Sequence, residues 1–123
     1  MPMRYYKKIF CLVIVFYLSA IVQAYSAELC DCYGNCAMLY PRDVSTETKM
    51  FIKQRDGYDI RSRVDIDHRI PLCIGGSNDP ANLQSLTKDV HRLKTDHDLL
   101  LLYYIKNCYM TLPEAWAEVD NFR

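Results

Sequence analysis

Apolar positions along this chain follow three different patterns. From Ile9 to Ile21 they form an unbroken run without charge. Between Tyr58 and Ile66 they thin out, and Ile60, Val64 and Ile66 recur at even spacing, which predicts an irregular strand. From Lys88 to Asn107, Val90, Leu93, His97, Leu100, Leu101, Tyr104 and Ile105 fall near helical spacing, which predicts a helix. Between the last two patterns, Asp67 to Ile74 reads as a second extended stretch, which Pro71 interrupts. The GGSNDP segment from Gly75 to Pro80 is the strongest loop signal, and Leu83 and Leu86 follow it. Ser45-Thr46-Glu47-Thr48 can cap a short helix that carries Met50, Phe51 and Ile52 and stops at the Asp56-Gly57 turn. A last short helix starts at Thr111, whose N-cap role Glu114 completes as a capping box, with Ala115, Val119 and Phe122 as its packing face. Together these elements predict an α+β fold: a short β-hairpin packed on a helix, with an additional C-terminal helix.

The first pattern concerns targeting. Arg4, Lys7 and Lys8 precede the apolar run, and Val22-Gln23-Ala24 places small residues where a signal peptidase cuts, with Ala24-Tyr25-Ser26 as a second choice. Residues 1–24 are therefore expected to be a signal peptide. The run is shorter than the ~20 residues of a bilayer span. The expected location is secreted or periplasmic, and membrane-anchored if the segment stays uncleaved. Leu99 to Leu102 is far shorter still and is expected to pack in the core.

Charge and cysteine content follow from this. The 15 basic and 15 acidic residues balance, but removing residues 1–24 takes three basic residues and no acidic one, so the remainder is net acidic by three. Such a chain binds nucleic acid poorly unless its cations are gathered in one place. Of six cysteines, Cys11 leaves with the apolar run. Cys30, Cys32, Cys36, Cys73 and Cys108 remain. In an oxidising compartment disulfides are favoured over a bound metal, and an odd count leaves one thiol free or paired between chains. The connectivity is open. Residues 25–57 form a Cys-rich N-terminal segment, in which 28–41 reads as a cross-linked loop rather than a regular element.

From Asp65 the chain runs DIDHRIPLCIGGSNDPANLQSLTKDVHRLKT. This segment resembles the motif of the HNH (ββα-metal) nucleases, with His68, Asn82 and His91 at its three named positions. The stretch from Cys108 to Trp116 is similar to the C-terminal helix of small exported members, so the resemblance covers roughly residues 58–122 and marks 58–123 as a domain. Residues 28–57 resemble nothing we can name. The resemblance implies that Asp67 and His91 hold a divalent cation, that His68 is the general base, and that Asn82 braces the long connection and keeps the base oriented. Adjacent residues of an extended segment point to opposite faces, and Pro71 and the nearby loop suggest a local bend; the resemblance implies that Asp67 faces the metal and His68 faces the water. Colicin-type members carry a further His four residues after the last one; Thr95 stands there in this chain. A more open cation site follows, suited to Mg²⁺ or Mn²⁺ rather than closed zinc coordination. The cysteine pairs that flank the motif in zinc-stabilised relatives are missing.

These residue types suit phosphodiester hydrolysis. A water must lose a proton, charge on phosphate oxygens must be neutralised, and the groups must be held in line. Histidine titrates near working pH, and a carboxylate with an imidazole can hold a cation while leaving positions open. Within residues 60–95, Arg61, Arg63, Arg69, Lys88, Arg92 and Lys94 outnumber four aspartates, so positive charge gathers at the site. Arg69, Arg92 and Lys94 are candidate phosphate contacts. His97 and Trp116 are expected in the core. The expected activity is endonucleolytic cleavage of DNA, with RNA as the other nucleic-acid substrate. Two further readings are a secreted effector or binding module with an inactive HNH fold, and an antibacterial nuclease toxin with an immunity protein as partner. The mature N-terminus is expected between residues 25 and 28. Mass spectrometry of the exported protein checks this, and intact Met1 in a membrane fraction identifies an anchor instead.

Overall fold

The structure, a computed structural model, describes residues 27–120. The expected signal peptide and Phe122 lie outside the described residues. The architecture is α+β. Among the described residues there are two antiparallel two-stranded sheets and three α-helices: β1 (Ala27–Cys30), β2 (Cys36–Leu39), α1 (Thr46–Arg55), β3 (Asp65–His68), β4 (Leu83–Leu86), α2 (Lys88–Lys106) and α3 (Leu112–Asp120). No helix among them is long and apolar enough to cross a membrane.

Capping residues set the helix ends as expected. Ser45 Oγ accepts from Thr48 N at 3.1 Å and opens α1, and Gly57 closes the turn after it at φ +84°. Glu114 accepts from Thr111 N and Oγ1 at 2.8 and 2.9 Å, while Thr111 Oγ1 receives Glu114 N at 3.3 Å, which is the reciprocal box at the start of α3.

Three expectations change. Residues 28–41 form a β-hairpin, with Cys30 opposite Cys36 and a disulfide between them. The cross-link does not replace the ladder; it sits at its end. The strand expected at Tyr58 to Ile66 is only Asp65–His68, and residues 58–64 form turns and bends. Its partner is not the Asp67 to Ile74 stretch but Leu83–Leu86, in the register Asp65↔Leu86, Ile66↔Ser85, Asp67↔Gln84 and His68↔Leu83. Pro71 opens a short 3-10 turn (Leu72–Ile74) where a second strand was expected.

The largest change is the face that α2 buries. Val90, Leu93 and Leu100 are exposed, and the buried stripe is Lys94, Asp98, Leu101 and Ile105. These positions keep the helical spacing, so the helix is correct and its orientation is not the one apolarity alone selects. Its C-terminal half enters a core built from Leu29, Ala37, Ile74, Leu112, Ala115 and Val119, while its first half supports polar groups. A second cluster of Ile52, Ile66 and Leu83 joins α1 to the β3–β4 pair. Packing therefore crosses the expected boundary between residues 57 and 58.

Long-range links tie the first hairpin to the C-terminal helix. Cys32 is bonded to Cys108, and Cys73 is free. In the chain-entropy picture the 76-residue separation of Cys32 and Cys108 gives about 4.5 kcal/mol, roughly twice the contribution of the short Cys30–Cys36 loop. Beside that bond, the buried Asp31 carboxylate accepts from Leu112 N (2.8 Å), Asn35 Nδ2 (2.8 Å), Asn35 N (3.0 Å) and Tyr33 N (2.8 Å). Burial pushes its pKa up, but these four donors outweigh it and hold the carboxyl at about 2, against an ordinary 3.8. A depressed folded-state pKa adds stability above the unfolded value that is lost as the group protonates. The melting temperature should therefore fall as pH drops from about 4 to about 2. Asp31→Asn should be less stable at neutral pH and should flatten that part of the profile; an unchanged profile would show that Asp31 does not hold the junction.

Candidate functional site

The β3–β4 pair divides its side chains between two faces, as strand alternation requires. Asp65 and Asp67 make their contacts with α2. Ile66 packs with Ile52 and Leu83, and His68 meets the loop residue Asn78. Asp67 and His68 are thus separated by the pleat of a regular strand, and the expected bend comes only after them, at residues 69 and 70.

On the α2 side, His91 Nδ1 lies 2.9 Å from Asp65 Oδ2, and its Nε2 lies 3.4 Å from Asp67 Oδ1. A carboxylate only accepts, so Nδ1 donates to Asp65, and Nε2 faces a second carboxylate. A ring nitrogen and a carboxylate oxygen at that distance are bridged by a proton or by a metal ion. The span matches two atoms sharing a cation at about 2.1–2.2 Å each. A carboxylate on the far nitrogen is the usual partner of a metal-bound imidazole. The donor set fits a divalent cation.

Asp67 Oδ2 is used differently. It takes Gln84 Nε2 at 3.3 Å and lies 3.1 Å from Lys94 Nζ. Lys94 is only 2 % exposed, and its ammonium also donates to His68 O (2.9 Å) and to Asp98 Oδ2 (2.6 Å). Its expected place at the phosphate is therefore corrected: it lies beneath the site and binds protein oxygens. Burial pushes the Asp98 carboxyl up in pKa, against the pull of Lys94. Thr95, in the position of the missing histidine, donates back to His91 O at 2.9 Å.

His68 is buried, and its Nε2 lies 3.0 Å from Asn78 Oδ1. The Asn78 amide is oriented by two backbone groups, since Oδ1 accepts from Asp43 N (3.1 Å) and Nδ2 donates to Pro41 O (2.8 Å). An oxygen held in that way makes His68 Nε2 the donor and leaves Nδ1 as its free lone pair. The two site histidines thus donate from opposite nitrogens, His68 from Nε2 and His91 from Nδ1.

Asn82 lies where a brace would be. Its Oδ1 accepts from Ile70 N (2.9 Å), and its Nδ2 donates to Ile70 O (3.0 Å) and Ser77 O (2.8 Å). The connection it closes is tight. Gly75 adopts φ +94°, and a Cβ there would meet Ala37 Cβ at 2.5 Å; a Cβ on Gly76 would collide with the Ile70 carbonyl. Trp116, expected in the core, is 36 % exposed and donates Nε1 to Ile74 O at 2.8 Å. His97 is half-buried. Arg92 is solvent-facing on α2, and Arg69 is half-buried beside the loop. The one compact Glu/Cys grouping among the described residues, Glu28 with Cys30 and Cys36, offers no thiolate, because both sulfurs are in a disulfide.

Asp65 and Asn78 were not singled out in the sequence. Asp65 precedes Asp67 by two residues and shares its strand face, which is a readable signal. Asn78 lies in a loop, and only the fold brings it to His68. Comparison of the chain with known protein families, curated proteins and solved structures finds no match.

Substitution should separate the two supports. Asn82→Ala should cost about 1–3 kcal/mol for its lost buried hydrogen bonds. Lys94→Met should cost about 3–5 kcal/mol, because it strands Asp98 and removes the cation between buried groups. Urea denaturation measures both, and a neutral Lys94→Met would show that the ammonium is not structurally required.

Proposed function

We propose that this protein is a divalent-metal-dependent endonuclease of the HNH (ββα-metal) kind, hydrolysing phosphodiester bonds in DNA, with RNA as the other candidate substrate. The observation that carries the reading is His91 Nε2 facing Asp67 Oδ1 at 3.4 Å while Asp65 holds the opposite nitrogen. The order of strand, braced connection, strand and helix supports it, as does the resemblance of residues 58–122. Export rests on residues 1–24 alone.

Asp67 and His91 would hold the cation, Mg²⁺ or Mn²⁺. The chemistry it supplies when bound is neutralisation of charge on the phosphate oxygens and on the leaving 3′ oxygen. The remaining work falls to the chain. His68 would take a proton from water at Nδ1, while its Nε2–H donates to Asn78 Oδ1 and so fixes the ring. The water oxygen bonds to phosphorus, the bond to the 3′ oxygen breaks, and that oxygen acquires a proton from solvent. A 5′-phosphate and a 3′-hydroxyl result. Lys94 and Gln84 occupy Asp67 Oδ2, which directs Oδ1 toward His91. Of the expected phosphate contacts, Arg92 is solvent-facing on α2 and Arg69 lies beside the 75–80 loop.

The test separates base from ligands. His68→Ala should keep Mn²⁺ affinity and lose about 10²–10⁴ in cleavage rate. Asp67→Ala and His91→Ala should bind Mn²⁺ weakly, with activity partly restored at high metal. Calorimetric titration and plasmid cleavage with and without chelator measure both. Loss of Mn²⁺ binding in His68→Ala with normal binding in His91→Ala would reverse the roles, and an inactive wild type would reject the function.

A further inference from the structure

A second feature opens beside His91. Helix α1 and the segment 60–66 enclose a cleft of about 640 Å³ that ends at Asp65 and His91. Its size lies within the ~300–1,000 Å³ of sites that enclose a small ligand. The rim carries Arg42, Lys49, Lys53 and Arg61, against Asp65 as its single acid. Asp65 is already engaged with His91, so the cleft is strongly cationic in a chain of zero formal net charge. The floor is apolar: Met50, Ile60, Val64 and Ile66.

The four cations differ in their commitments. Arg42 donates to Ile66 O at 2.7 Å, and Lys53 donates to Ser62 O at 2.9 Å and Ile60 O at 3.3 Å, so these two shape the wall. Lys49 and Arg61 are exposed, and their side chains make no hydrogen bond or ion pair among the described residues. Fixed cations hold the walls, and two uncommitted ones stand at the mouth.

We infer that this cleft receives one or two nucleotides of an unpaired nucleic-acid strand, flanking the phosphate to be cut. The inference rests on the nuclease reading of the adjoining site. A stacked duplex presents phosphates outward and keeps its bases inside, so it cannot reach an apolar floor. An unpaired nucleotide can lay a base on Met50, Ile60 and Val64 while its phosphates meet Lys49 and Arg61. Cationic walls around a surface for base faces are the general design of single-strand sites. The segment that resembles no known family would thereby supply half of the substrate path.

Binding is measured in chelator, where no cleavage occurs, by fluorescence anisotropy of a labelled single-stranded oligonucleotide and of its duplex. The wild type should prefer the single strand. Lys49→Ala and Arg61→Ala should each weaken single-strand binding about 3- to 10-fold and reduce the slope of log affinity against log salt by about 0.7, one phosphate each. Lys106→Ala, at the far end of α2, removes a charge outside the cleft and should leave binding unchanged. Both cleft side chains are exposed, so circular dichroism melts of the variants should overlay the wild type. The inference is overturned if the wild type binds no single strand, if it binds duplex equally well, or if the cleft variants bind like Lys106→Ala. Plasmid cleavage by the wild type with Mn²⁺ is scored separately. Binding that depends on Lys49 and Arg61 without any cleavage would retain the cleft and reject the nuclease.

Discussion

The buried ammonium of Lys94 is the constraint on which the rest of the site depends. It reaches a carboxylate of β3, a carbonyl of β3 and a carboxylate of its own helix. That one group fixes the height and rotation of α2 against the strand pair, and with it the direction of His91. A charge buried in this way is costly unless every donor is used. Here the geometry supplies three oxygens for three N–H bonds. An aliphatic side chain at this position could fill the volume but could not specify which oxygen of Asp67 points outward.

The same constraint explains how much was legible beforehand. The motif residues Asp67, His68, Asn82 and His91 could be read from their order, and the structure brings Asp67 to His91 and makes Asn82 a loop brace. Caps at Ser45 and Thr111 were legible because they are local. The strand pairing was not. Seventeen residues separate Asp67 from its partner Gln84, and the apolar stretch from Ile70 to Ile74 mimics a strand while serving as a core plug behind Gly75. The buried face of α2 was misjudged for a related reason. Periodicity located the helix, but hydrophobicity cannot reveal that Lys94 and Asp98 are inside when the two are paired. Lys94 consequently looked like a phosphate ligand. Asn78 was invisible because its role depends on the chain before α1 coming up to the 75–80 loop.

The two site histidines show how one side chain can be given different tasks by its neighbours. Asp65 accepts from His91 Nδ1, whereas Asn78 accepts from His68 Nε2. Neither outcome is a property of the imidazole. Each follows from an acceptor that cannot donate, anchored in turn by strand register or by backbone hydrogen bonds. The pleat then assigns the two imidazoles to different sides of the ribbon.

The Cys32–Cys108 bond has a consequence of another kind. It encloses α1, both strands of the site and all of α2 within one covalent ring. A protease that cuts once in the exposed bends of residues 58–64 opens that ring without releasing either part. The severed ends remain joined through the sulfurs, and the clusters around Ile52 and Ile105 can hold the fragments in register. A nicked molecule would thus keep the arrangement around His91 in surroundings where proteases are at work.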